Sequence, residues 1–131
     1  MKPTLTTVNL IKGFEGASYP NLQVSDLQFA ADAIARHVTV PLNQNQYDAL
    51  ISFIFNVGET GFRKSTMLTL INQGNFAGAA RQFQRWNKVK GVVLAGLTAR
   101  RQAEASLFLE GYMADGQKTA AAAEAITAIL N

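Results

Sequence analysis

One segment of this chain is apolar on nearly every side of a helix, and this restricts the folds that the chain can adopt. Its large apolar residues are Tyr47, Leu50, Ile51, Phe53, Ile54, Phe55 and Val57. Asn43, followed three residues later by Gln46, is typical of a helix start, and Gly58 is typical of a helix end. A helix that is hydrophobic all round has to be enclosed by other elements. The sequence therefore predicts a central buried helix at about 45–57.

The remaining segments have the periodicity of shorter helices. Apolar residues recur at helical spacing within 5–14, 25–38, 65–73, 75–86 and 97–109. Ser25, Ser65 and Asn75 stand at predicted N-caps, and Glu110-Gly111 at the predicted end of the last of these helices. No strand-like alternation of useful length occurs, and residues 91–96 read as a loop. We therefore expect an all-α fold.

Length and composition favour one folded domain over residues 1–131. Apolar residues make up 48% of the chain and charged residues 16%, which is typical of a globular protein. Cysteine is missing, which excludes disulfides and cysteine-based zinc sites, and His37 is the only histidine. We expect no metal and no cofactor.

No apolar run reaches membrane-spanning length, and Met1-Lys2-Pro3-Thr4 lacks the apolar stretch of a signal peptide. The expectation is a chain that has no membrane partner and that stays in the cytoplasm as encoded.

The net charge of +3 is unevenly distributed, because no acidic residue lies between Glu59 and Glu104. The same stretch contains Arg63, Lys64, Arg81, Arg85, Lys88, Lys90, Arg100 and Arg101. These cations form either an ordinary solvated face or a surface that attracts a polyanion such as cell wall or nucleic acid. Aromatic residues are not interleaved with the cations, which argues against nucleic acid.

Several segments, taken in order, resemble the phage-type lysozymes, the glycoside hydrolase family 24 endolysins. The similar segments are LIKGFEG at 10–16, VPLNQNQYDALISF at 40–53, FNVG at 55–58, FRKSTML at 62–68, NFAGAA at 75–80, FQRWNK at 83–88 and GLTARRQAE at 96–104. Their order and spacing are similar to those of the family's helical lobe, and the resemblance lies within residues 5–111. It implies a lysozyme-like helical lobe, an origin in a phage or prophage, and the glycan of a host cell wall as substrate.

The resemblance gives roles to three residues. Glu15, at the end of the first helix, matches the family's catalytic glutamate and is the candidate general acid. Asn56 matches a position that faces the sugar-binding cleft, although an Asn at a helix end is also a candidate cap. Arg100 matches an arginine that pairs with the catalytic glutamate. Such a pair favours the ionised carboxylate, so the alternative role of Glu15 is a structural ion pair with Arg100.

The segment after Glu15 departs from the family pattern. Family members follow the glutamate with a small β-sheet lobe that supplies an Asp nine residues later and a Thr six residues after that. Those positions are Val24 and Ala30 here, and the β-sheet lobe is expected to be absent. Glycoside hydrolysis with inversion uses two carboxyl groups roughly 6.5–9.5 Å apart. Asp26 is the nearby alternative base, but its place in the first turn of a helix favours a structural role.

Three functional hypotheses follow. The first is a peptidoglycan N-acetylmuramidase-like domain whose hydrolysis is lost or strongly reduced. The second is a non-catalytic module that binds wall glycan or a protein partner, or that oligomerises. The third is a minimised helical scaffold. Residues 115–131 extend past the family-like region and predict an extra C-terminal helix with Ile126, Ile129 and Leu130 on one face. We expect this helix to cover exposed apolar surface, in its own chain or in a homo-oligomer.

Overall fold

The structure, a computed structural model, describes residues 1–15 and 18–114, with side chains up to Glu110. Its helices are α1 Leu5–Glu15, α2 Gln28–His37, α3 Gln44–Val57, α4 Glu59–Arg63, α5 Thr66–Asn72, α6 Phe76–Gln82 and α7 Ala95–Ala114. Two 3₁₀ turns, Val24–Leu27 and Phe83–Trp86, precede α2 and follow α6. Strand β1 Lys88–Val89 pairs antiparallel with β2 Val92–Val93. The extra C-terminal helix predicted within 115–131 lies outside the described residues.

The central helix is confirmed. Every residue of α3 from Gln46 to Ile54 is buried, and α1, α2, α4 and α7 all pack against it. Its start has the predicted capping box, because the Asn43 side chain accepts a hydrogen bond from the Gln46 N–H at 2.9 Å. Its end is at Gly58, whose φ of 93° few other residues adopt.

Phe53 lies at the middle of the aromatic core. Its ring meets Phe83 and Trp86 edge to face, at centroid distances of 5.4 and 5.7 Å. Phe83 in turn packs on Phe108 of α7 at 5.8 Å. These contacts attach the 3₁₀ turn before β1 to both long helices, so the second half of the chain forms one packed unit around α3.

Two of the three other predicted caps are confirmed. Ser65 accepts a hydrogen bond from the Leu68 N–H at 3.1 Å, and Asn75 accepts one from the Gly78 N–H at 2.9 Å. Ser25 is not a cap, because it lies inside the 3₁₀ turn. The helical turn begins at Val24, and the N–H of its N-cap residue Gln23 donates a hydrogen bond to the Asp26 carboxylate at 2.8 Å.

Three boundaries differ from those predicted. The loop at 91–96 contains β2 and the start of α7, because Lys90 and Gly91 both take positive φ, 50° and 81°, and close a hairpin. Helix α7 continues through Glu110-Gly111 to Ala114. One glycine costs a helix only about 1 kcal/mol relative to alanine, so it does not by itself end a helix whose preceding turn is buried. The short helix α4 was not predicted.

The described part of the chain is thus mostly helical, with one two-stranded sheet, as expected for a lysozyme-like helical lobe. Residues 18–23, the described part of the segment after α1, form a connector without a strand. None of the described helices has both the length and the apolar character needed to cross a membrane.

Candidate functional site

Glu15 and Arg100 lie in direct contact. Glu15 is the last residue of α1, and its side chain is 22% exposed, whereas Arg100 on α7 is only 3% exposed. An Arg100 Nη1–H donates a hydrogen bond to Glu15 Oε1, and the two residues are also joined as an ion pair. The contact attaches the end of α1 to α7 and leaves the carboxylate at the edge of the protein surface.

The Arg100 guanidinium is oriented by groups on three elements. Its Nη2 donates to the Ser52 carbonyl oxygen of α3 at 3.0 Å, and its Nε donates to Glu104 Oε2 of α7 at 3.2 Å. Its Cζ lies 5.3 Å from the centroid of the Phe14 ring of α1, within cation–π range. Arg100 therefore has one well-defined position, and it holds Glu15 in one as well.

A second buried arginine completes the cluster. Arg101 and Glu104 are both fully buried, and the Arg101 Nε lies 2.8 Å from Glu104 Oε1 without the alignment of a hydrogen bond. Arg101 Nη2 donates to Glu104 Oε2 at 3.3 Å, and Ser52 Oγ donates to the same oxygen at 2.6 Å. The Arg101 guanidinium also lies 5.0 Å from the Phe53 ring centroid.

Burial acts on both charges of the inner pair. It lowers the pKa of Arg101 and raises the pKa of Glu104, because each charged form loses hydration. The attraction between the two side chains opposes both shifts. Two arginines and Glu104 together carry one net positive charge, and Glu15 supplies the negative charge that balances it. We call Glu15, Ser52, Arg100, Arg101 and Glu104 the arginine cluster.

Sequence reasoning did not single out Ser52, Arg101 or Glu104 as members of this site. Two signals in the sequence point to them. Ser52 is a polar residue in the middle of the apolar helix. Glu104 is the first acidic residue after the long acid-free stretch, and it follows Arg101 by three residues and Arg100 by four. Residues at that spacing are neighbours on one helix face.

Four other described carboxylates accept hydrogen bonds from residues outside the arginine cluster. Asp26 is exposed in the 3₁₀ turn, where its carboxylate is bonded to the Gln23 N–H. Asp32 accepts a hydrogen bond from Gln28, at 2.9 Å. Asp48 is buried, and Thr7 Oγ1 donates a hydrogen bond to its Oδ1 at 2.8 Å.

Glu59 binds Arg36 through two hydrogen bonds and lies 2.9 Å from His37 Nε2. These partners lower the pKa of Glu59 to about 2. The described residues include no group of three or more His, Cys, Asp or Glu side chains arranged to hold a metal ion.

A groove of about 550 Å³ lies beside the connector that follows Glu15. Its apolar side consists of Tyr19, Phe29 and Phe55, and its polar side includes Asn21 and Asp26. The Tyr19 and Phe55 rings meet edge to face at 5.3 Å, and the Phe29 and Phe55 rings lie 6.0 Å apart. Tyr19 and Phe29 are 42% and 46% exposed. We call this feature the aromatic groove.

Asn56 is exposed on the last turn of α3, directly after Phe55, which lines the aromatic groove. The residue at the helix cap is Gly58, so Asn56 is not the cap. Trp86 is half-buried against the core. Arg100 and Arg101 are buried, so these two arginines do not contribute to a cationic surface. The other six cations of the acid-free stretch are exposed.

Comparison with known proteins assigns the chain to a family. The sequence model of the phage lysozyme family, described as "Phage lysozyme", matches residues 8–104. The endolysin of Bacillus phage B103 is 44% identical over 86 residues, which are 66% of this chain and 33% of that protein. The endolysin of Salmonella phage P22 is 50% identical over 84 residues, which are 64% of this chain and 57% of that protein. The chain thus spans between a third and somewhat over half of these relatives.

A solved structure agrees with the sequence match. A crystal structure of a P22 lysozyme mutant superposes with a TM-score of 0.73 at 32% identity, covering 83% of this chain and 99% of that one. The chain belongs to the phage lysozyme family.

Proposed function

We propose that this chain is a peptidoglycan-directed domain whose glycan hydrolysis is lost or strongly reduced relative to active lysozymes of its family. Its relatives are phage endolysins, which supports a phage origin and a bacterial cell wall as the target. The observation that carries the proposal is that Val24 and Ala30 stand at the positions of the family's Asp and Thr, while residues 18–23 form a connector without a strand.

The chemistry of the reaction supports this reading. A general acid has to donate a proton to the leaving-group oxygen, while a second carboxylate acts on water or on the sugar. Glu15 has the arginine partner that the resemblance implies for the catalytic glutamate, so the group that the reaction lacks is the base rather than the acid. The positions that match the family's Asp and Thr are the aliphatic residues Val24 and Ala30, and the side chain of Ala30 is fully buried. Each properly placed acid or base contributes on the order of 10²–10⁴-fold, so the loss of the base alone makes turnover slow.

The test is clearing of purified peptidoglycan, with P22 lysozyme as the active reference. We expect no clearing, or clearing slower by at least about 10²-fold, for the wild-type chain. Clearing at a rate close to that of P22 lysozyme, and abolished by Glu15→Gln, would overturn the proposal. A circular-dichroism spectrum of the Glu15→Gln variant shows whether loss of activity reflects chemistry or unfolding.

A second candidate function, wall-glycan binding without hydrolysis, is supported by the aromatic groove. Exposed rings beside amide and carboxylate groups suit a sugar, whose CH faces pack on aromatic rings while its hydroxyl groups need hydrogen-bond partners. The groove lies in the segment that directly follows Glu15, at the end of α3 that carries Asn56. Substrate contact by Asn56 is part of this proposal.

Co-sedimentation with purified wall sacculi tests the second candidate. We expect Phe29→Ala and Tyr19→Ala to reduce the bound fraction, since each removes one ring from the groove. Leu5→Ala is the matched control, because Leu5 is also exposed and apolar but does not line the groove. Equal loss in all three variants would refute the groove as the binding site. A monomer that neither clears nor binds sacculi would favour the scaffold hypothesis, whereas a defined oligomer would favour homo-oligomerisation.

A further inference from the structure

The β1–β2 hairpin has a tightly specified shape. Its two turn residues, Lys90 and Gly91, both take positive φ, which is the type I′ geometry that matches the twist of an antiparallel pair. The register places Val89 opposite Val92 and Lys88 opposite Val93. Residues opposite each other point to the same side of a hairpin, so the two sides carry different side chains.

One side of the hairpin is an exposed aliphatic surface. The Leu94 N–H donates to the Asn87 carbonyl oxygen at 3.0 Å, so the pairing continues beyond β2 and places Leu94 on the side of Val92. Val89, Val92 and Leu94 are 48%, 61% and 42% exposed. We call these three residues the aliphatic face. Large apolar side chains grouped in this way commonly mark an interaction site.

The base of the hairpin is fixed to the helical domain. Asn87 Nδ2 donates to Thr98 Oγ1 at 3.2 Å, and Gln84 Nε2 donates to the Thr98 carbonyl oxygen at 3.1 Å. Trp86, directly before the hairpin, packs edge to face on the core. The aliphatic face is therefore presented to solvent by a well-supported element of the fold.

Positive charge surrounds this face. Lys88 and Lys90 belong to the hairpin, Arg85 precedes it, and all three are exposed. Residues 60–103, all described, contain no carboxylate that could neutralise these cations.

We propose that this hairpin docks on the surface of an anionic lipid bilayer. The aliphatic face enters the headgroup region, and the turn residue Lys90 lies near the lipid phosphates. Adsorption of this kind combines buried apolar area with attraction between cations and anionic lipids. It requires no spanning helix, so it revises the expectation of no membrane partner, which considered only spanning segments. The proposal does not depend on the proposed function.

An anionic bilayer is the partner that matches both the cations and the exposed aliphatic side chains of the hairpin. A second copy of the chain, paired through the same hairpin, would bring a second set of the same cations to this face, which like-charge repulsion opposes. A soluble polyanion would use the cations but would leave the aliphatic face exposed to water. A bilayer with anionic headgroups is complementary to both features at once.

Vesicle co-sedimentation of the full chain tests the proposal. Vesicles of equal parts phosphatidylglycerol and phosphatidylcholine are compared with vesicles of phosphatidylcholine alone, at low and at high salt. We expect binding to the anionic vesicles only, weakened by salt. Loss of one cation by Lys90→Gln should weaken binding about five-fold.

The hairpin supplies its own matched control. Val92→Ser removes an aliphatic group from the proposed contact and should weaken binding about ten-fold. Val93→Ser makes the same change on the opposite side of the same strand and should leave binding unchanged. Thermal unfolding of both variants verifies that the domain remains folded.

Four outcomes that concern vesicle binding or self-association would overturn the proposal. They are no binding to anionic vesicles, equal binding to neutral vesicles, equal effects of Val92→Ser and Val93→Ser, and self-association that depends on Val92. Binding of inorganic polyphosphate as tight as vesicle binding, and insensitive to Val92→Ser, would indicate a soluble polyanion instead and would likewise overturn it.

Discussion

Replacement of Glu15 by glutamine directly tests the charge balance of the arginine cluster. The substitution keeps the size of the side chain and a carbonyl oxygen for Arg100, but it removes the negative charge. Two buried arginines would then face Glu104 alone. At an effective dielectric constant of about 20, two unit charges about 4 Å apart interact by roughly 4 kcal/mol.

Hydration offsets part of that interaction. The Glu15 side chain is 22% exposed, so the pair lies between surface pairs, worth about 1 kcal/mol or less, and buried pairs, whose disruption costs about 3–5 kcal/mol. We expect Glu15→Gln to lower the free energy of unfolding by about 1–3 kcal/mol. Urea denaturation at neutral pH measures this as a lower midpoint with an unchanged slope.

Two further variants make the test specific. Glu110→Gln removes an exposed carboxylate from α7 and should change stability by no more than about 0.5 kcal/mol. The double variant Glu15→Gln/Arg100→Gln restores neutrality, with Arg101 facing Glu104. Its loss should therefore be smaller than the sum of the two single losses. An unchanged midpoint for Glu15→Gln, or strictly additive losses, would refute the charge-balance argument.

Three other perturbations have defined outcomes. Glu104→Gln should lower the free energy of unfolding by about 3–5 kcal/mol in urea denaturation, which is more than Glu15→Gln, because the Glu104 carboxylate is fully buried. A smaller loss would contradict the geometry of the cluster. Gly61→Ala should destabilise the fold by about 1–3 kcal/mol, because the added Cβ would lie 2.6 Å from Val57 Cγ1. Gly13→Ala should stabilise it by about 0.5–1 kcal/mol, because nothing lies within 4 Å of the added Cβ. Thermal melts that rank the two variants in the other order would refute the packing. The pKa of Glu59 is lowered to about 2 in the folded state, so the stability that this carboxylate contributes is complete above about pH 5 and is lost as the pH falls toward 2. Glu59→Gln should flatten the profile of urea midpoints against pH in this range. An unchanged profile would count against the ion pair.

Much of the helical architecture could be predicted because its signals are local. The central helix, its Asn43 cap and its Gly58 end follow from residues that are neighbours in the chain. The same applies to the caps at Ser65 and Asn75. Helical periodicity and capping act over three or four residues, so the sequence alone contains the information.

The errors arise where local signals compete. Ser25 is a suitable cap, but Asp26 forms a bond to the Gln23 N–H and starts the turn earlier. Gly91 signals a loop, but a lysine with positive φ before it closes a hairpin. Such outcomes depend on which of several weak preferences the surrounding packing supports, and the sequence does not rank them.

The candidate site divides in the same way. Glu15, Arg100 and Asn56 could be named from segments similar to those of a known family, but the other members of the arginine cluster could not. Glu15 and Arg100 are 85 positions apart, and Ser52 and Glu104 are 52 apart. Their contacts exist only after α1, α3 and α7 have packed together.

The sequence by itself determined most of the helices, most of their ends and the family to which the chain belongs, since these depend on short-range patterns and on the order of similar segments. The tertiary structure alone decided that Glu15 balances buried arginines, that Asp48 is buried, and that aromatic and aliphatic side chains remain exposed in a groove and on a hairpin. The physical reason is that burial and charge balance are properties of surfaces brought together by folding. The sequence of a single segment therefore does not show which of its side chains will be buried or which charges will be paired.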